Sequence, residues 1–351
     1  MDRKQILDSL KAEMIDTLQK VLRFETVTTD ALPGMPFGKN NADCLAYVLK
    51  KGEEMGFKSY NCDNYAGHLD FAADDKNAEV FGVLGHLDVV PVTEGWIAPP
   101  FGGEIIDGKI YGRGTMDDKG PMIACLYAAK ALKMSGFRPR RTLRLIFGCD
   151  EENNMACIKY YKTKVKMPDL AISPDGDFPV INVEKGIYAM ELDVGKVSDA
   201  VLDISAGSRT NVVPDLCTAL VDKSLDLKPL EKFNVEVKEA DGRIQLLTRG
   251  KSTHGAMPHT GVNATWEMFR ALSACLPDDK TLAFVAEKMC RDVNGKAWGF
   301  PLEDEVSGKI THSIGVVSLK NGNLKIKLDV RYPVTYKDSF VAEAMKKNSI
   351  D

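Results

Sequence analysis

Hydrophobic positions along the chain change period, and the changes mark out the elements. From about Lys4 to Leu22, the residues Ile6, Leu10, Met14, Leu18 and Leu22 recur at helical spacing and predict a helix with one buried stripe. Turn formers fill Thr26 to Asn41, and a second helix follows over about Asp43 to Met55, ended by Gly56. Val80 to Leu84 is a continuous apolar run, read as a strand, and it stops at Gly85-His86-Leu87-Asp88. Glu104 to Tyr111 reads as a hairpin around Asp107-Gly108, a dipeptide that favours tight turns. Gly120-Pro121 opens a helix to about Met134, closed by Gly136. Thr142 to Phe147 predicts a strand, Asn154 to Thr163 a helix, and Leu170 to Ser173 a short strand ending in Pro174-Asp175-Gly176. Strands alternating with helices predict an α/β domain with a mostly parallel sheet and helices on both faces.

After Lys185-Gly186 the texture shifts. Ile187 to Val194 and Leu216 to Val221 read as strands, Asn234 to Thr248 as a hairpin turning at Asp241-Gly242, and His312 to Tyr332 as a hairpin turning at Asn321-Gly322. Ala264 to Cys275 and Leu282 to Cys290 carry helical patterns. Hairpins plus two helices predict a separate α+β domain, so residues 1–186 and 187–351 are the expected division. A length of 351 residues, at roughly 150 per domain, points the same way.

Composition narrows the class. Hydrophobic residues make up 44% and charged residues 27%, the balance of a globular chain rather than a disordered or fibrous one. No apolar run approaches the roughly 18 residues that a membrane span needs. The opening MDRKQILDSLKAEM mixes acids with bases and lacks a signal peptide's apolar core. With 46 Lys+Arg against 50 Asp+Glu, no basic surplus favours nucleic acid, and neither nucleic acid nor membrane is an expected partner. The eight cysteines contain no C-x-x-C pair, so a reducing cytoplasm is the expected compartment.

Polar residues gather where the predicted strands of the first domain end. His86 and Asp88 follow the first strand, Asp117 and Asp118 lie in the Gly112 to Gly120 segment, Asp150, Glu151 and Glu152 follow the next strand, and Asp175 follows the last. In open α/β sheets the carboxyl edge is where ligands bind. Each piece alone has a plainer reading: His86 as a hydrogen-bonded loop residue, the acidic run as a solvated turn, Asp117-Asp118 as a helix cap. Together, four acidic segments converging on one edge call for a cation to offset their repulsion, and an imidazole with several carboxylates is a fitting set of divalent-metal ligands.

These motifs resemble a known family. Gly85-His86-Leu87-Asp88-Val89-Val90-Pro91, the Gly112 to Gly120 segment, Asp150-Glu151-Glu152 and Ser173-Pro174-Asp175 occur in the order found in metallopeptidase family 20, which includes aminoacylases, carboxypeptidase G and succinyl-diaminopimelate desuccinylase. Gly95-Trp96, Phe101-Gly102-Gly103, Gly112-Arg113-Gly114-Thr115-Met116-Asp117-Asp118-Lys119-Gly120-Pro121, Glu184-Lys185-Gly186 and Arg331-Tyr332-Pro333 resemble the PepV-type dipeptidases of bacteria more closely still. The resemblance covers essentially the whole chain.

The resemblance implies a catalytic domain with an inserted lid, and cytoplasmic hydrolysis of dipeptides with two zinc ions per site, manganese or cobalt being alternatives. Asp117 then bridges the ions, His86 and Asp175 complete one, and Glu152 binds the other. Asp88 hydrogen-bonds the far nitrogen of His86 and fixes its tautomer. Glu151 is the general base, taking a proton from the activated water and passing it to the leaving amine. In the lid, His254 stabilises the oxyanion, Asn211 binds substrate, and Arg331 grips the substrate carboxylate. Turn, cap and surface-charge readings of these three remain open. His68, His259 and His312 match no family ligand and are read as structural or solvated, and Cys149 as a small wall residue.

The pattern breaks at the end. The resemblance implies a further segment beyond Arg331-Tyr332-Pro333, with a last histidine ligand and a glycine-rich substrate loop, whereas this sequence stops at Asp351 without another histidine. The expectation is therefore a C-terminally truncated dipeptidase with one strongly held metal, the second keeping only Asp117 and Glu152, and with an exposed strand edge. An intact homologue is expected to be a monomer. Two other functions stay open: an N-acyl amino acid deacylase of the same superfamily, and a non-catalytic metal- or peptide-binding remnant.

Overall fold

A computed structural model describes residues 2–92, 95–240 and 242–348. It divides into two compact units, Met1–Val180 and Ile181–Asp351. The second begins a few residues ahead of the texture shift: Lys185 already belongs to it and donates Nζ to the Lys309 carbonyl.

The first unit is built on a five-stranded sheet in the order β1-β2-β6-β3-β7. Here β1 is Lys58–Cys62, β2 Ala66–Phe71, β3 Val80–His86, β6 Thr142–Gly148 and β7 Leu170–Ile172; Glu104–Ile106 (β4) and Lys109–Tyr111 (β5) form a separate hairpin. That hairpin turns at Asp107-Gly108 as expected, both residues having positive φ (49° and 74°). The β3–β6 and β3–β7 pairs are parallel, whereas β1–β2 and β2–β6 are antiparallel. The sheet is thus mixed. The antiparallel half comes from a hairpin turning at Asp63-Asn64, which the sequence reading did not find. Its strands offer no clean alternation, since Gly67 and His68 interrupt the apolar pattern and both are buried.

Four helices flank this sheet: α1 Arg3–Leu22, α2 Lys39–Glu54, α3 Lys119–Met134 and α4 Ala156–Lys164. Asp2 and Gln5 form a reciprocal cap at the start of α1, and Ile6, Leu10, Val21 and Leu22 are buried. Register places the layers. Gly67, Phe147 and Gly85 are partners across β2, β6 and β3 and so share a face. A Cβ on Gly67 would press on Leu49 of α2, and one on Gly85 would press on Met122 of α3. His68 points to the opposite face, where its Nδ1 lies 2.7 Å from the Tyr161 hydroxyl of α4. Helices therefore cover both faces, α2 and α3 on one and α4 on the other.

The second unit carries a seven-stranded antiparallel sheet in the order β11-β12-β10-β9-β15-β16-β8. The strands are β8 Gly186–Lys196, β9 Val201–Ala206, β10 Leu216–Val221, β11 Glu236–Ala240, β12 Arg243–Arg249, β15 Thr311–Lys320 and β16 Asn323–Tyr332. A small pair, β13 Glu303–Asp304 and β14 Gly308–Lys309, stands apart. The β15–β16 hairpin turns at Asn321-Gly322 as expected, with φ of 53° and 76°. Of the expected Asp241-Gly242 turn, Asp241 lies outside the described residues, as does the chain end at Asp351. Helix α5 Ala264–Cys275 packs on β10 and β12, α6 Lys280–Phe284 continues into a wider turn over Val285–Met289, and α7 Asp338–Lys347 contacts β8. The core beneath them holds Phe269, Leu272, Trp298, Phe300 and Leu328. Among the described residues no helix is long and apolar enough to cross a membrane.

Candidate metal centre

Parallel pairing brings the carboxyl ends of β3, β6 and β7 to one edge of the first sheet, so the segments after them meet there. His86 is the last residue of β3, Cys149 to Glu152 follow β6, and Asp175 follows β7. Asp117 and Asp118, joined by a cis peptide, precede α3 at the same edge. The His86 imidazole is the centre of the group and is 1% exposed. Its Nε2 lies 2.9 Å from Asp117 Oδ1, 3.4 Å from Asp175 Oδ2 and 3.9 Å from Glu151 Oε2. Two sets of ligand atoms fall within 4.8 Å of one another: His86, Asp117 and Glu152, and His86, Glu151 and Asp175. The four expected ligands, His86, Asp117, Glu152 and Asp175, all fall in these two sets, and Glu151 joins them. Both sets share the His86 imidazole.

Asp88 meets the far nitrogen of His86 more closely through its main chain than through its carboxylate. The far nitrogen of His86, Nδ1, meets the main-chain carbonyl of Asp88 at 2.9 Å, while the Asp88 carboxylate is 3.6 Å away. That carboxylate, fully buried, instead accepts two main-chain hydrogen bonds, Oδ1 from Glu151 N–H and Oδ2 from Glu152 N–H, both 3.0 Å. One residue thus orients the imidazole with its backbone and the acidic loop with its side chain. Asp150 is occupied elsewhere, its carboxylate accepting from Asn153 and from Ala156 N–H at the start of α4.

The electrostatics show crowded negative charge. Burial alone would lower the pKa of His86, but hydrogen bonds to Asp117, Asp175 and Asp88 outweigh it and hold the ring far above the usual histidine range. Burial, reinforced by Asp117, pushes Glu152 up to about 7, and burial raises Glu151 too. Asp117 is lowered, by its hydrogen bond to His86. Protons here stand in for positive charge that the carboxylates need. An imidazole nitrogen with four carboxylates is a donor set suited to borderline or hard divalent cations, so the residues fit a metal ion.

Comparisons with known proteins decide the family. The sequence model described as Peptidase family M20/M25/M40 matches residues 82–349, which include every residue of this cluster. The chain belongs to that family. Within it, the M20 chain is 33% identical over 360 residues to the putative dipeptidase YtjP of Bacillus subtilis (strain 168), covering 97% of this chain and 77% of the relative. It is 32% identical over 369 residues to the Beta-Ala-Xaa dipeptidase of Lactobacillus delbrueckii subsp. lactis, covering 99% and 77%. Human carnosine dipeptidase 1 shares the fold, with a TM-score of 0.52 at 14% identity over 99% of this chain and 76% of that one.

The remaining expected residues of the M20 chain lie in the second unit, and three of them share a corner of it. Main-chain pairing joins the strand-like segments around Val212 and His254, with Gly255 N–H donating to the Asn211 carbonyl at 2.7 Å. His254 and Asn211 are exposed, and His254 Nδ1 accepts from Ala256 N–H at 3.2 Å. Arg331, at the end of β16, is bound twice by Asp329. His68 is buried against Tyr161, His259 is exposed, and the buried His312 ring has no hydrogen-bond partner among the described residues. Cys149 is buried, and burial pushes its thiol well above the usual range, as suits a wall residue.

Sequence reasoning placed Asp118 in the acidic cluster without giving it a role there, and it did not single out Asp329. Asp118 sits at the N-cap position of α3, where a cap was the plainer reading, yet its side chain makes no cap bond. Its Oδ2 accepts from the main-chain N–H of His86 at 3.1 Å, and burial pushes the carboxyl up to about 7. Gly85 makes this approach possible, because a Cβ there would lie 2.0 Å from that oxygen. The pairing of Gly before His with a doubled Asp was the available signal.

Proposed function

We propose that this chain hydrolyses dipeptides in the cytoplasm, using divalent metal, with zinc first and manganese or cobalt as substitutes. The observation that carries the reading is the buried His86 imidazole ringed by the carboxylates of Asp117, Asp175 and Glu151 at the carboxyl edge of the sheet. The relatives' names as dipeptidases support the substrate class. His86, Asp117, Asp175 and Glu152 would hold the metal. Divalent ions in such a site supply Lewis acidity and make water acidic enough to attack an amide at neutral pH.

The chain's own residues do the rest. Glu151, held by its main-chain bond to Asp88 and raised above the ordinary glutamate value by burial, accepts the proton of the attacking water and delivers it to the departing amine. His254, in the lid domain, donates to the oxyanion, Asn211 binds the substrate amide, and Arg331 holds its carboxylate.

The test is turnover by the zinc-loaded chain of a dipeptide panel against N-acetyl and N-succinyl amino acids. Dipeptide hydrolysis is expected; turnover of the acylated set alone would make the protein a deacylase. Glu151→Ala should lower kcat by roughly 10²–10⁴-fold, the usual worth of a general base, while metal binding is largely kept. Unchanged turnover would remove Glu151 from the mechanism.

A further inference from the structure

We infer that Asp329 is the positioning residue that gives this site its preference for a free C-terminal carboxylate, an inference resting on the proposed dipeptidase reading. Asp329 is 2% exposed on β16, two residues before Arg331 and therefore on the same face of the strand. Its Oδ1 accepts from Arg331 Nε at 2.8 Å and its Oδ2 from Nη2 at 3.0 Å. These are the only hydrogen bonds of the Arg331 side chain among the described residues.

A guanidinium has two edges that can grip a carboxylate in bidentate fashion, one formed by Nε and Nη2 and one by Nη1 and Nη2. Asp329 takes the first and so fixes the plane of the group. The second edge, with three N–H bonds uncommitted, stays available. A substrate carboxylate binding there loses no side-chain freedom of Arg331, because Asp329 has already removed it.

The same carboxylate reaches the loop that carries His254. A Cβ on Gly255 would lie 2.8 Å from Asp329 Oδ2 and 3.1 Å from the carbonyl carbon and oxygen of Asn211. The loop therefore packs directly against the Asp329 carboxylate, and the missing side chain at Gly255 leaves room for it. Asn211, His254 and Arg331 are registered to one another through Gly255 and Asp329. Neither stands out in the sequence as chemistry-bearing: Asp329 alternates along a strand, and Gly255 follows a histidine in a turn.

The experiment uses the full zinc-loaded chain, with Ala-Leu and Ala-Leu amide as paired substrates. Asp329→Asn keeps the shape and removes the charge. It should raise KM for Ala-Leu roughly tenfold, the loss of a charge-assisted grip, with kcat little changed and the amide unaffected. In an Arg331→Ala background the same change should add nothing. Equal losses for acid and amide, or additive effects, would overturn the inference and leave Asp329 a packing residue. Should Asp329→Asn fail to fold, as read by circular dichroism, Arg331→Lys decides. It keeps the charge but cannot be gripped on one edge while offering another, so most of the preference for acid over amide should vanish, and its retention would refute the inference. Calorimetric binding of both peptides to the Glu151→Ala chain separates the two readings. If the wild-type chain hydrolyses neither peptide, the dipeptidase reading fails. An Asp329-dependent preference for the acid in binding would still uphold the inference, and equal binding, or none, would overturn it.

Discussion

At the scale of single residues, the candidate centre depends on a few buried groups that hold the ligands rather than on the ligands alone. Asp88 is the clearest. Its carbonyl meets His86 Nδ1, and its carboxylate carries the main-chain N–H groups of both Glu151 and Glu152. Replacing it by Ala leaves two half-buried donors without their partner and frees the acidic loop. Supporting groups of this kind typically contribute 10–100-fold to metal affinity. Asp88→Ala should therefore weaken zinc binding by roughly that factor in a chelator competition, while Asp150→Ala, whose carboxylate faces the start of α4, should cost mainly stability. Equal metal affinity in wild-type and Asp88→Ala chains would show that the loop holds its place without it.

At the scale of elements, what the sequence made legible follows from local rules. The β4–β5 and β15–β16 turns carry Asp-Gly and Asn-Gly with positive φ, and such dipeptides announce themselves. The strands delivering His86 and Glu151 are apolar runs stopped by polar residues, so the cluster could be assembled from chain order. The β1–β2 hairpin was illegible because its buried positions include Gly67 and His68, which only α2 and Tyr161 of α4 make sense of. The roles of Asp118 and Asp329 were illegible for a related reason: a carboxylate's partner is a tertiary fact. His312 on β15 extends the point. Packed against Trp298 and Phe300 and fully buried, it has its pKa lowered to about 4 by desolvation, with Asp292 opposing. The unfolded value is about 6.5. Above that pH neither state is protonated; as pH falls from 6.5 toward 4 the unfolded chain binds the proton first, and stability is lost. The loss amounts to about 3 kcal/mol at most. Urea unfolding of the chain followed by tryptophan fluorescence should show this decline between pH 7 and 4.5, and His312→Phe should flatten it. An unchanged slope in the variant would assign the acid sensitivity elsewhere.

At the scale of the whole molecule, the first unit has a well-covered sheet centre and an open edge. Among the described residues, strand β7 pairs only with β3, and Leu170 and Ile172 are 54% and 52% exposed. Parallel strands are normally covered on both faces, so this is an unusual place for two large aliphatic side chains. The chain beyond it continues the theme, with Phe178 and Val180 at 97% and 72%. A row of unpaired main-chain groups beside apolar side chains is a template for association with another chain. The net charge of −4 on 351 residues adds little repulsion to oppose it. We therefore expect concentration-dependent self-association in sedimentation velocity. Ile172→Lys with Phe178→Lys should suppress it, because charge on an edge blocks strand addition without touching the metal ligands. Zinc affinity of that double variant should match the wild-type chain, which separates an effect on the edge from damage to the sheet that presents His86 and Asp175. Association that persists in the variant would place the contact on another surface.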